Sequence, residues 1–452
     1  MEGRTGFLAL VVLVLVVLAS AWMPTASARY NRTVTYTGQK VLACRVNSTE
    51  EVRQLLLDPD LDVWRRSADG RLLEVRTLTA QAGVALSSNK DCQETISDVN
   101  AWLEPLEASL RGRRLGSSAM RQEFFEDYHT YDEIIGFYTS LAAEYPSLVT
   151  MEPSIGESIE LRPMPAVRIT AAANPQNVPR FLMTCQIHAR EWVSSSTCAF
   201  MADQLVRNYE QDSRVRALLE ASEVIFIPFV NPDGYAYTWS NDRLWRKNRR
   251  VNTNSACRGV DLNRNFNIRW AEPGGGSSGN PCSETYHGTA AESEPELLHL
   301  ANFFRANPRI VGGIDYHSYS QLILRPWGFT LDPPPHEQQL KAVGDQMQAV
   351  IRSVHNQRYV SQPGMDLYPT VGTSSDWYFS DDASQSNGGY RCAGYTIELR
   401  DTGRYGFILP ASQIIPTGQE NYEGLLYFMA EFLENPLPFP LPTPNSTIVA
   451  HA

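Results

Sequence analysis

The stretch Phe181-Leu-Met-Thr-Cys-Gln-Ile-His188-Ala-Arg-Glu-Trp192 decides how the chain is read. It opens as an apolar, β-compatible run of about the length of one buried strand. It stops abruptly at His188, Arg190 and Glu191. In an open α/β sheet, ligands sit at the carboxyl ends of the strands. The spacing of His188 and Glu191 puts both side chains on one side of a turn or of a first helical turn. Imidazole nitrogen and carboxylate oxygen are ordinary zinc ligands, and catalytic zinc commonly takes three protein ligands and keeps one position open. His188 and Glu191 therefore read as two ligands in need of a third.

Outward from this stretch, strand and helix patterns alternate. Helices are expected over Tyr131–Glu144 and Ser195–Tyr209, and strands over Val149–Pro153, Ala166–Thr170, Val224–Val230, Ile310–Tyr316 and Tyr395–Leu399. Near-continuous apolar strands separated by helices predict an α/β domain, its sheet mixed but largely parallel, with helices on both faces. Residues before Arg111 read as a smaller α+β unit. Its strands are expected at Lys40–Val46, Val63–Trp64, Leu72–Thr79 and Val84–Leu86. One helix follows Ser48 and a second covers Ile96–Leu110. The implied division is 1–28, 29–114, 115–435 and a proline-rich tail, 436–452, expected to be extended and poorly ordered.

Composition narrows the setting. The 452 residues carry a net charge of −11 and a pI near 5.3, with no dense Lys/Arg run, which argues against nucleic-acid binding. Arg4, the apolar run Phe7–Ala19 and Ala26-Ser-Ala28 form a secretory signal pattern. The run is shorter than the roughly 20 residues a membrane span needs, so a secreted, non-membrane protein is expected. Secretion permits disulfides among the seven cysteines. A Cys185–Cys198 bridge would staple the turn carrying His188, and Cys257 and Cys282 bracket a Gly/Ser-rich loop. Sequence alone fixes no pairing, and that of Cys44, Cys92 and Cys392 is open. Glycosylation sequons begin at Asn31, Asn47 and Asn445. The basic cluster Arg111-Gly-Arg-Arg114 is flanked by Gly and Ser and reads as a linker open to a trypsin-like or furin-like protease.

Of eight histidines, only His317 also ends an apolar strand, in Ile310-Val-Gly-Gly-Ile-Asp-Tyr-His317. It completes the candidate ligand set. Taken together, His188-Ala-Arg-Glu-Trp192, Asn231-Pro-Asp-Gly234, Arg243-Leu-Trp-Arg-Lys247, Val260-Asp-Leu-Asn-Arg-Asn265, Pro281-Cys-Ser-Glu-Thr-Tyr-His-Gly288, His317-Ser-Tyr-Ser-Gln321 and Glu398-Leu-Arg-Asp-Thr-Gly-Arg-Tyr-Gly406 resemble the secreted zinc metallocarboxypeptidases of the digestive A/B type. The similarity runs from about Phe124 to Leu433. The first unit resembles the family's prodomain more weakly, through Val63-Trp-Arg65 and Ile96–Leu103.

The resemblance implies one zinc ion per chain, held by His188, Glu191 and His317. Asp261 would fix a ligand imidazole, Glu398 would be the general base, and Arg246 would stabilise the oxyanion. Asn263 and Arg264 would bind the substrate's C-terminal carboxylate, and Tyr368 would close over it. Arg190 and Tyr319 would form subsites further along the peptide. A monomeric proenzyme activated by a trypsin-like protease and acting on peptide C-termini is implied. The resembling enzymes place a bulky aliphatic residue or an Asp where this chain has Ser375. Serine predicts neutral side chains, aromatic and aliphatic ones included, in a roomier and more polar pocket lined also by Thr370, Thr373 and Thr396. The alternatives are a preference for C-terminal Lys or Arg, should Asp376 or Asp366 swing in, and a secreted peptide-binding protein without catalysis.

Overall fold

The structure, a computed structural model, describes residues 30–112 and 121–439. The signal pattern, Arg113 and Arg114 of the basic linker, and the Asn445 sequon lie outside the described residues.

The first unit is a four-stranded antiparallel sheet of order β2-β3-β1-β4, with β1 Val41–Arg45, β2 Leu61–Arg66, β3 Leu72–Thr77 and β4 Cys92–Ile96. Helices Thr49–Leu57, Ala80–Ser87 and Val99–Gly112 connect and cover it. Two expectations change here. Val84–Leu86 is helical, because Thr79 caps a helix by accepting from the Ala82 N–H at 3.1 Å, and Val84 points to solvent at 73% exposure. The fourth strand is the polar Cys92–Ile96, held by its pairing with β1 and by a Cys44–Cys92 disulfide.

The larger unit holds an eight-stranded sheet of order β11-β10-β13-β9-β7-β8-β6-β5. In chain order these are β5 Val149–Glu152, β6 Ala166–Ile169, β7 Arg180–Cys185, β8 Glu223–Ile227, β9 Ile310–Ser318, β10 Leu322–Arg325, β11 Val360–Pro363 and β13 Ala393–Leu399. The central run β13-β9-β7-β8 is parallel, and antiparallel pairings flank it. The expected mixed, largely parallel sheet is therefore present.

Both faces are buried. Phe181, Met183, Val224 and Phe226 pack with the helices Tyr131–Glu144, Trp192–Asn208, Glu337–His355 and Ile414–Glu434. The alternate residues Leu182, Ile225 and Ile227 pack on the other face with Leu297, Leu300 and Phe304 of helix Pro295–Ala306 and with Trp377 and Tyr378. This is why β7 and β8 read as unbroken apolar runs.

Gly312 marks a close approach within β9. A Cβ there would lie 2.6 Å from the buried ring of Phe428. Gly312→Ala is expected to cost about 1–3 kcal/mol, read as a lower denaturant midpoint at unchanged slope.

The proline-rich tail begins inside the fold. Leu437–Pro438, strand β14, pairs with β12, Tyr390–Arg391, and Leu437 is buried; residues 440–452 lie outside the described part. Near the other end, the Asn31 N–H donates to the Trp239 carbonyl at 2.8 Å and the Tyr36 hydroxyl to Asp242 at 2.6 Å. These bonds lay the first described residues across the larger unit. The remaining cysteines form Cys185–Cys198 and Cys257–Cys282, with Cys392 free and buried.

Candidate active site

The chain leaves β7 through Gln186, whose φ of 58° turns it sharply. The Gln186 amide nitrogen donates to the carbonyls of His188 (3.0 Å) and Ala189 (2.9 Å). The Asn231 amide donates to the carbonyls of Ile187 and Lys247, each at 3.1 Å. Cys185–Cys198 ties the end of the strand to the helix Trp192–Asn208, and Glu191 stands at that helix's N-cap. His317 lies near the end of β9, and its register partner on β13 is Glu398.

His188, Glu191 and His317 come together, their donor atoms within 4.8 Å of one another and all three residues buried. His188 Nδ1 lies 2.9 Å from Glu191 Oε1, and His317 Nδ1 lies 3.1 Å from Glu191 Oε2. Each imidazole turns its other nitrogen to a carboxylate. His188 Nε2 is 3.0 Å from Asp261, and His317 Nε2 is 2.9 Å from Asp315. The Ser318 N–H donates to Glu191 Oε2 at 3.1 Å. The arrangement fits a zinc ion: two Nδ1 atoms and a carboxylate converge, with the outer nitrogens oriented by acidic partners. Three buried carboxylates around two imidazoles also call for a cation. Burial alone would lower His317, yet Asp315 and Glu191 outweigh it and hold the imidazole well above its ordinary range.

Asp315 was not singled out from the sequence, nor was Gln186. The Asp-x-His spacing in a strand, which puts both side chains on one face, was the available signal for Asp315. Asp315 also accepts from the hydroxyls of Ser374 (2.5 Å) and Thr184 (2.9 Å).

Asp261 serves two groups, since Arg246 Nη2 donates to its second oxygen at 2.8 Å. Arg246 Nη1 is 3.2 Å from His188 Nδ1, and the Arg246 carbonyl accepts the Ala189 N–H at 3.0 Å. Asn263 and Arg264 follow in the 3₁₀ turn Leu262–Arg264. The Asn263 side-chain Oδ1 accepts the Ser374 N–H at 2.8 Å, and its Nδ2 lies 3.3 Å from His317 Nε2. Arg264 is buried and, among the described residues, its guanidinium donates only to backbone carbonyls, those of Asn263 (2.7 Å) and Gly276 (3.4 Å). Burial pushes the Glu398 carboxyl up to about 8, with Glu191 and Asp315 adding and His317 and Arg246 opposing. A divalent cation beside it acts in the opposite sense.

His188, Glu191, His317, Arg246, Asn263, Arg264 and Glu398 line one cleft with Tyr368, Ser375, Thr370, Thr373, Thr396 and Gly328. Neither nearby acid enters the pocket. Asp376 is buried and accepts the Gly328 N–H at 3.0 Å, and Asp366 is exposed.

The first unit lies over this cleft and leaves a cavity of about 80 Å³. Asp62 of β2 takes both terminal nitrogens of the fully buried Arg190, at 2.5 and 3.0 Å. Asp62 also accepts from Trp64 Nε1 at 2.8 Å and lies 3.2 Å from Arg76. Glu74 accepts the Tyr319 hydroxyl at 2.8 Å, and Arg66 donates to the Leu367 carbonyl at 2.7 Å. Arg190 and Tyr319 are thus held by carboxylates of the first unit.

A buried His–Glu–His set at the carboxyl edge of a mixed sheet, each imidazole backed by an acid and with a carboxylate on the neighbouring strand, defines a mononuclear zinc hydrolase. The Peptidase M14 family, described as zinc carboxypeptidase, matches residues 134–424. Carboxypeptidase A4 of Mus musculus is 35% identical over 404 residues, 87% of this chain and 93% of its own. Carboxypeptidase B of Homo sapiens is 34% identical over 445 residues, 95% and 99%. Among solved structures, carboxypeptidase A from Helicoverpa armigera superposes with a TM-score of 0.77 at 28% identity, covering 88% of this chain and 98% of its own. Thrombin activatable fibrinolysis inhibitor does so at 0.75 and 28%, covering 88% and 99%. The chain belongs to the zinc carboxypeptidase family. It is a metallohydrolase of peptide C-termini that uses one catalytic zinc ion. Among the described residues no helix is long and apolar enough to cross a membrane.

Proposed function

We propose that this chain is the latent, secreted form of a monomeric carboxypeptidase that releases neutral C-terminal residues. In this reading, residues 1–28 are the signal, 29–114 the activation unit and 115–435 the catalytic domain, and a trypsin-like protease cuts near Arg111–Arg114. The observation that carries it is Arg264. A buried guanidinium with no carboxylate partner among the described residues stands in the same cleft as the metal donors and a hydroxyl-bearing pocket. A planar guanidinium suits a substrate carboxylate.

Bound zinc, held by His188, Glu191 and His317, supplies Lewis acidity that polarises a carbonyl and acidifies water. Glu398 takes the water's proton and delivers it to the leaving nitrogen. Arg246 sets a fixed positive charge where the carbonyl oxygen becomes anionic, and Asp261 aligns it with His188. Asn263 and Arg264 hold the terminal carboxylate, and Tyr368 closes over it. Arg190 and Tyr319 receive the preceding residues once the first unit has left.

Ser375, Thr370, Thr373 and Thr396 bring hydroxyls and no charge to the pocket. A buried Lys or Arg there would lack a counter-ion. In a series of peptides differing only in the last residue, kcat/KM is expected to favour neutral side chains, aromatic and aliphatic ones included. Discrimination among them should be shallow, since one methylene contributes only about 1–3 kcal/mol. Lys or Arg at the top of the profile overturns the neutral preference. Equal cleavage of C-terminally amidated peptides overturns the role of Arg264.

A further inference from the structure

Glu284 lines the same cleft, on the segment that Cys257–Cys282 ties down. The side chain is half-buried, but its Oε2 is sealed from solvent and takes no hydrogen bond among the described residues. A buried carboxylate oxygen without a donor is costly. The cations of the larger unit that face it are committed elsewhere. Lys247 donates its ammonium to the carbonyls of Pro281 (2.7 Å) and Ser283 (3.0 Å). Arg190 gives both terminal nitrogens to Asp62. From the first unit, Asp62 lines the same cleft as Glu284, and Arg76 is paired to Asp62. Arg76 reaches Asp62 through Nη2, while its Nε and Nη1 are buried without a hydrogen bond among the described residues. Burial and then Asp62 raise the Glu284 carboxyl above its ordinary range in this closed form, with Lys247, Arg190 and Arg76 opposing. The first unit therefore sets an anion against Arg190 and, through Arg76 on Asp62, a guanidinium whose charge acts on Glu284.

We propose that Glu284 is a specificity-determining residue of the opened cleft, taking the cationic side chain of a lysine or arginine that lies upstream of the scissile bond, within a few residues of the substrate's C-terminus. This rests on the carboxypeptidase reading above. When the first unit leaves, Asp62 and Arg76 leave with it. Glu284 becomes an ionised carboxylate in a partly desolvated groove, where a charge pair discriminates against the wrong sign. The upstream cation replaces Arg76, so a substrate restores the charge pattern that the first unit imposes on the cleft.

The test uses the full chain after proteolytic activation. Peptides share one neutral C-terminal residue and carry Lys, Ala or Glu at the second, third or fourth position from the end. The expected result is a Lys-over-Ala ratio in kcat/KM of about tenfold at one of these positions, with Glu below Ala. The effect should lie in KM and shrink with added salt. Glu284→Gln is expected to bring the ratio close to unity, and Glu284→Lys to invert it; undiminished zinc content shows that the variants fold. Flat wild-type ratios at all positions overturn the inference, as would follow if Arg190 folded onto Glu284 once freed of Asp62. A lysine preference that survives Glu284→Gln also overturns it. No turnover of the alanine peptides overturns the carboxypeptidase reading itself, and this inference with it.

Discussion

Glu398→Gln is expected to lower kcat/KM by about 10²–10⁴-fold while zinc content is unchanged. A neutral amide keeps the size of the side chain and cannot accept a proton. Glu398 lies beside His317 in the strand register and is not one of the three converging donors, so its loss leaves the metal set intact. His188→Ala and His317→Ala should behave differently, losing metal and turnover together, because each removes one of the donors. Metal analysis of dialysed protein beside single-turnover kinetics separates the two behaviours. A glutamine variant with wild-type turnover would assign the proton transfer to another group.

With the latency proposed above, Asp62→Ala is expected to give the uncleaved chain peptidase activity. Arg190 is fully buried and Asp62 receives both of its terminal nitrogens. Removing one partner of a buried pair costs about 3–5 kcal/mol. At 1.4 kcal/mol per decade, that shifts the closed-to-open balance by about 10²-fold to 4 × 10³-fold. Peptide hydrolysis by protein shown to be uncut on a denaturing gel is the measurement. An inactive uncut variant would assign closure to the remaining contacts, those of Tyr319 with Glu74 and of Arg66 with Leu367. The pH dependence follows from the same pair. Against burial, which would raise it, Arg190 and Arg76 hold the Asp62 carboxyl at about 2. A depressed carboxyl contributes fully above its free value, about 3.9, and its contribution is lost as the pH falls through the bound value. The pair should therefore stay closed throughout the neutral and mildly acidic range.

The core of the catalytic unit was legible because both faces of its sheet are buried. Phe181 and Met183 enter one core and Leu182 the other, so β7 carries no polar interruption until the site begins. That change of character marked His188 and Glu191, and the same change marked His317. Strand order was not legible, because β7 lies between β8 and β9, which come later in the chain; which strands neighbour is decided by long-range packing. The first unit misled for a different reason. Val84 looks like core and is exposed, while Cys92-Gln-Glu-Thr95 carries no strand pattern and Ile96 reads as the start of a helix, yet Cys92–Ile96 is a strand, held by a disulfide and by main-chain pairing that side chains do not announce. Asp315 went unread because a lone acid in an apolar strand acquires its meaning only from the ring of His317.

The turn that begins at Asp261 has a geometric consequence. Asp261 orients His188 and Arg246, Asn263 touches His317 and the pocket wall, and Arg264 follows within the same 3₁₀ turn. With Arg264 as the clamp proposed above, a single short piece of covalent backbone spans from the reacting centre to the grip on the chain end. Its length is set by bonds rather than by a flexible hinge, so the gap between grip and cut behaves as a ruler graduated for one amino acid. A degradation that proceeds one step at a time is then a property of this ruler, and the pocket floor at Ser375 can be exchanged to change which residue is removed without altering the length of the step.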